Sequence, residues 1–139
     1  MDRRVVDEKL ESLRRCLARV EARRPASVEA LQADPDVQDI LALNLTRAVQ
    51  VSVDLAAHLA ASLAVPAPAT MADAFRVLAE AAVISPEVGA RMVAAVGFRN
   101  VAVHAYQSID WAVVFAISHH HLGDFRAFAR SVLLALPPA

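Results

Sequence analysis

Residues 35 to 64 read "PDVQDILALNLTRAVQVSVDLAAHLAASLA". Val37, Leu41, Leu45, Ala48, Ser52, Leu55 and Leu59 recur there at intervals of three and four, so on a helix they share one face. The stretch is also apolar on other sides, and a helix that is apolar most of the way round belongs at the centre of a bundle rather than on its surface. That one segment sets the expected fold class as all-α, with the rest of the chain arranged around it.

On the N-terminal side, Val6, Leu10, Leu13, Leu17 and Val20 form an amphipathic stripe that predicts a helix over roughly residues 2 to 23, stopped by Pro25. A short turn is expected at "SVEALQADP", with Ser27 as a cap and Asp34 before Pro35 restarting the chain. On the C-terminal side, "VPAPAT" ends the central helix. Thr70 with Asp73 three residues on reads as a capping box for "MADAFRVLAEAAV", whose Phe75, Leu78 and Ala82 are expected to point inward. "ISPE" restarts the chain with Ser85 as cap and Pro86 at the first helical position, giving a helix to about His104. "YQSID" breaks it, and Asp110 caps a last helix carrying Val114, Ile117, Leu122, Phe125, Phe128, Val132 and Leu133, with an interruption near Gly123. The outcome is a helical bundle of about five helices, one domain over residues 1–139, with no internal repeat.

The totals agree with helices and suggest a second chain. Apolar residues make up 57% and charged residues 21%, and three glycines leave few helix breakers. A mean hydropathy of +0.41 is high for a soluble monomer, so a partner is expected to cover apolar surface. No charge-free run reaches the roughly 20 residues a membrane span needs. "MDRRVVDEKL" lacks the apolar stretch of a signal peptide, so a cytoplasmic location is expected. The lone Cys16 permits no intrachain disulfide and reads as buried filler.

A net charge of −1 gives no general nucleic-acid footprint, so any RNA contact must be local. Arg14, Arg15, Arg19, Arg23 and Arg24 concentrate at the end of the first helix, as a solvated face or as a strip for phosphate or a partner. His119, His120 and His121 fan out by about 100° each on a helix and do not converge on one metal. Asp54 and His58 share a face, too few ligands for a metal and consistent with an intrahelical hydrogen bond. A glycine-rich phosphate loop, a paired-histidine metal motif and a serine nucleophile elbow are all missing from the sequence.

Residues 97 to 106, "GFRNVAVHAY", are different, because Arg99, Asn100, His104 and Tyr106 cluster on a helix otherwise built from Val88, Met92, Val93, Val96 and Val103. Asn100 and His104 share a face, whereas Arg99 and His104 lie about 140° apart on an ideal helix. They meet only through the long arginine arm, a helix end near His104, or a second subunit. Histidine exchanges protons near neutral pH, and arginine offers a permanently charged fork for phosphate. The pair suits phosphodiester cleavage in RNA, with His104 as acid or base and Arg99 on the phosphoryl charge, no metal being required. A polar cluster that merely braces the bundle fits the same spacing.

The run "RNVAVHAY" resembles the signature of the HepT-like branch of the HEPN superfamily of prokaryotic toxins. The similarity extends through "AVQVSVDLAAHLAASL", "ADAFRVLAEAAVISPEVGARMVAAVGFRNVAVHAY" and "HLGDFRAFARSVL". The resemblance implies a HEPN-type bundle forming a homodimer with both motifs facing a shared cleft, and a metal-independent endoribonuclease of a type VII toxin–antitoxin system acting on tRNA or mRNA. It implies Arg99 and His104 as the catalytic pair, Asn100 as their supporting neighbour, and no cofactor. It further implies that Tyr106 is modified with AMP from ATP by a nucleotidyltransferase antitoxin of the MntA type, adding bulk and negative charge beside His104. The alternative is a non-catalytic subunit that holds a nucleotide or substrate for a nucleotidyltransferase.

Overall fold

The computed structural model describes residues 2–137. In chain order the helices are α1 (Arg3–Arg23), α2 (Val28–Gln32), α3 (Pro35–Ala61), α4 (Met71–Glu80), α5 (Pro86–His104), α6 (Trp111–Ala116) and α7 (Leu122–Ala135). A 3₁₀ turn, Tyr106–Ser108, follows α5, and a π-helical turn, Ile117–His121, joins α6 to α7. Among the described residues there is no strand. The all-α expectation holds, with the last helix divided in two and the short turn at Ser27 formed as α2.

Side-chain oxygens start these helices where the sequence places them. Ser27, Asp34, Thr70, Ser85 and Asp110 each accept a backbone N–H of the first turn, from Ala30, Val37, Asp73, Val88 and Ala112 respectively. Each satisfies a donor that the helix itself leaves free.

Helix α3 is the centre: α1, α4, α5, α6 and α7 all pack on it. Its buried polar groups are satisfied within the helix, the Ser52 hydroxyl donating to the Ala48 carbonyl at 2.8 Å and the Asn44 amide to the Ile40 carbonyl at 2.9 Å. By length and composition α3 passes for a membrane span, yet 56% of its apolar window is buried inside the bundle. Phe75 of α4 meets Phe128 of α7 edge to face, with centroids 5.3 Å apart and planes at 80°. That is the preferred aromatic geometry, and it joins α4 to α7 within the core. Helices α4 and α5 approach closely at Gly89, where a Cβ would stand 3.1 Å from that of Ala79.

Three local expectations change. Helix α4 stops at Glu80, and Ala82 is exposed with a positive φ of 59°, not inward. The chain closes there with Ala82 N–H on the Ala79 carbonyl and Val83 N–H on the Leu78 carbonyl, the pairing in which glycine usually takes the left-handed position. The break in the last helix is the π turn at Ile117–His121, and Gly123 lies within α7. Arg24, just past α1, donates to the Ser118 carbonyl at 2.8 Å, and His119 Nε2 engages the Pro25 carbonyl at 2.8 Å, so the wider turn is tied to the end of α1. Leu133, grouped with the inward set, stands half exposed beside α1.

Candidate functional site at the end of helix α5

Met92 and Val96 seat α5 in the core, which turns Asn100 and His104 outward and leaves Arg99 half-buried between the two faces. Arg99 Nη1 donates to Asn100 Oδ1 at 3.2 Å. Its Nε is buried without a partner. A buried guanidinium N–H left unpaired is costly, and a bound anionic oxygen is the partner its charge favours. His104 is the last residue of α5 and makes no side-chain hydrogen bond among the described residues. The structure therefore joins Arg99 to Asn100 but not Arg99 to His104, as their separation around the helix predicts.

After His104 the backbone turns at Ala105 (φ −146°, ψ 54°), and the 3₁₀ turn brings Tyr106 back against the bundle. The Tyr106 ring lies edge-on to Trp111 of α6, with centroids 5.9 Å apart, and its hydroxyl donates to the Asp39 carboxylate on α3. Burial, then the hydrogen bond and charge of Asp39, push the phenol up to about 12. Tyr106 nonetheless remains 38% exposed. Asp39 and Trp111 are the residues that sequence reasoning missed. Asp39 stands 67 positions from its partner, and no local pattern marks it.

Beside the motif, a groove of about 490 Å³ runs between α5 and α6–α7, lined by apolar side chains such as Met92, Phe98, Val101, Ile109, Val113 and Phe125. The four motif side chains do not line it. Val101 and Val113 on its rim, and Val103 next to His104, are exposed at 39%, 47% and 47%. A single chain thus presents its motif on an open surface bordered by uncovered apolar residues.

The other candidates have structural roles. His119 stacks on Phe115 at 4.3 Å, while His121 pairs with Asp124 at 3.3 Å and lies 3.4 Å from Arg91. Among the described residues no three His, Cys, Asp or Glu side chains group as metal ligands. Asp54 binds Lys9 and Gln50, and His58 accepts the Asp2 N–H, so the expected Asp54–His58 bond is absent. The competing partners come from α1 and from one turn earlier in α3. Arg14 and Arg15 pair with Glu11, and Arg24 caps the π turn, so the arginine strip is partly occupied within the chain. Cys16 is buried, and burial raises its thiol pKa.

Comparison with known proteins places the chain in a family. An mRNA nuclease HepT from Shewanella oneidensis is 30% identical over 124 residues, covering 89% of this chain and 92% of the relative. A tri-AMPylated HEPN toxin of the same organism, solved in complex with its MNT antitoxin, superposes with a TM-score of 0.89 at 28% identity, over 96% of this chain and 99% of that one. A toxin–antitoxin crystal structure with AMP-PNP gives a TM-score of 0.88 at 27% identity, over 94% and 98%. Residues 9–132 match the profile described as ribonuclease HepT-like, and the chain therefore belongs to the HepT-like ribonuclease family.

Proposed function

We propose that this chain is the toxin of a HEPN/MNT toxin–antitoxin pair, a metal-independent endoribonuclease that cleaves tRNA or mRNA and is silenced when its nucleotidyltransferase antitoxin, of the MntA type, transfers AMP to Tyr106. Residues 1–139 form one such unit, acting in the cytoplasm as a homodimer. The observation that carries the reading is the end of α5, where a half-buried arginine with an unpaired Nε, an exposed histidine and a reachable tyrosine hydroxyl stand within eight residues of one another.

His104 exchanges the proton of the ribose 2′-hydroxyl or of the leaving oxygen, and Arg99, held by Asn100, takes the charge that builds on the phosphoryl oxygens. The nucleophile is supplied by the RNA itself, so the reaction needs no metal ion. A second protomer covers the exposed valines and brings its own motif to the cleft, which offers both an acid and a base. AMP on Tyr106 adds bulk and negative charge beside the place where RNA phosphate must sit.

The test is cleavage of end-labelled tRNA and mRNA in excess EDTA, with Tyr106 shown to be free of adduct by mass spectrometry, run beside Arg99→Ala and His104→Ala. Cleavage by the wild type alone is expected. No cleavage by any of the three at any concentration overturns the nuclease reading in favour of a nucleotide-binding subunit.

A further inference from the structure

The hydroxyl of Tyr106 is held on a carboxylate that no role described so far uses. Trp111 fixes the ring from one side, and Asp39, in the second turn of α3, accepts the phenolic proton from the other. A hydroxyl that donates its hydrogen to a carboxylate directs its remaining lone pairs away from that carboxylate, toward solvent in a side chain that is still 38% exposed. Asp39 is itself exposed and belongs to the central helix, on which α1, α4, α5, α6 and α7 all pack, so its position is set by the core.

We propose that Asp39 is the base for modification of Tyr106, taking the phenolic proton as the oxygen attacks the α-phosphorus of ATP presented by the nucleotidyltransferase. The inference rests on the reading of Tyr106 as the AMP acceptor. The bond formed is Tyr106 Oη–Pα, and the bond broken is Pα–O to the β-phosphate. Pyrophosphate leaves with the bond pair, and the proton passes to the Asp39 carboxylate along the hydrogen bond already present. A neutral phenol is a weak nucleophile, and this one is held more firmly protonated than a free tyrosine, so transfer at neutral pH requires a base within hydrogen-bond reach. The toxin chain thereby carries part of the chemistry of its own silencing, and an acceptor tyrosine without such a carboxylate is a poor substrate.

The experiment follows AMP incorporation into intact, refolding-free dimer by mass spectrometry, with purified antitoxin and saturating Mg–ATP, for wild type, Asp39→Asn, Asp39→Glu and Tyr106→Phe. Asp39→Asn is expected to lower kcat about 100-fold or more, in the range for loss of a general base, with KM for the toxin unchanged and a rate that climbs with pH. Asp39→Glu, which restores a carboxylate, is expected to recover most of that loss. An Asp39→Asn chain modified at the wild-type rate overturns the proposal, as does a raised KM with unchanged kcat, which assigns Asp39 to docking. Incorporation into Tyr106→Phe, or none into wild type, instead defeats the reading of Tyr106 as acceptor, so the two failures are distinguishable.

Discussion

Asn100→Ala separates positioning from catalysis at the α5 motif. Asn100 touches Arg99 through one bond of 3.2 Å, on the exposed side of the helix. A single hydrogen bond of this kind contributes about 1 kcal/mol net, which corresponds to about fivefold in rate if all of it goes to holding the guanidinium in its productive pose. In the proposed mechanism Arg99→Ala removes the charge that meets the phosphoryl oxygens, and a lost donor of that type costs about 100- to 1000-fold. The double variant is therefore expected to cleave no more slowly than Arg99→Ala alone, because Asn100 has nothing left to hold. The assay is initial-rate cleavage of an end-labelled RNA by adduct-free protein, with all variants shown dimeric by sedimentation. If Asn100→Ala is as slow as Arg99→Ala, or if the two losses add in the double variant, Asn100 meets the RNA directly and the positioning argument fails.

Other expectations follow from single features. The chain has one tyrosine, so phenolate absorbance reports Tyr106 alone, and its midpoint is expected near pH 12 in the wild type and lower in Asp39→Asn. Since the folded phenol titrates above the unfolded value of about 10, its contribution to stability is whole below pH 10 and lost as the pH rises toward 12. A wild-type midpoint of about 10 would contradict the hydrogen bond to Asp39. Ala82→Gly is expected to stabilise the fold by about 1 kcal/mol, since alanine at φ 59° is strained and glycine is not; an unchanged or lower melting temperature refutes this. Phe128→Ala, at a fully buried position, is expected to cost about 3 to 5 kcal/mol in chemical denaturation, and a cost under about 1 would mean that the core does not close on the Phe75–Phe128 pair.

The bundle was legible because its signals are local. Caps at Ser27, Asp34, Thr70, Ser85 and Asp110 act within three residues, and the stripe on residues 35 to 61 has a period that one helix alone defines. What the sequence concealed depends on chain segments far apart. The π turn exists with Arg24 and His119 linking it to the end of α1, 94 positions away, so the eye settles on Gly123 instead. Ala82 carries no mark of its left-handed backbone, which glycine would have announced. At the site, "RNVAVHAY" displays Arg99, His104 and Tyr106 openly, and the Asn100 contact follows from adjacency. Asp39 belongs to the same site only through the docking of α5 on α3, and periodicity holds no information about that meeting.

The same geometry favours the proposed homodimer over a single chain as the complete enzyme. Arg99 and His104 lie about 140° apart on an ideal helix and make no contact with each other, so a second surface opposite is one way to clasp a phosphate between them. In the proposed homodimer that surface also covers the exposed Val101, Val103 and Val113, and a second copy of the motif would serve both needs by symmetry. Val113→Glu tests this, because Val113 sits on α6 at the groove rim and is not one of the motif residues. Burying an unpaired carboxylate there costs several kcal/mol, enough to weaken association by about 100-fold or more while each chain stays folded. Sedimentation is expected to show monomer at concentrations where the wild type is dimeric, with RNA cleavage lost. Specific activity is then expected to rise with protein concentration along the dimerisation curve, since Arg99 and His104 are intact. A Val113→Glu monomer that cleaves RNA like the wild type would place the complete site within one chain and refute the shared cleft.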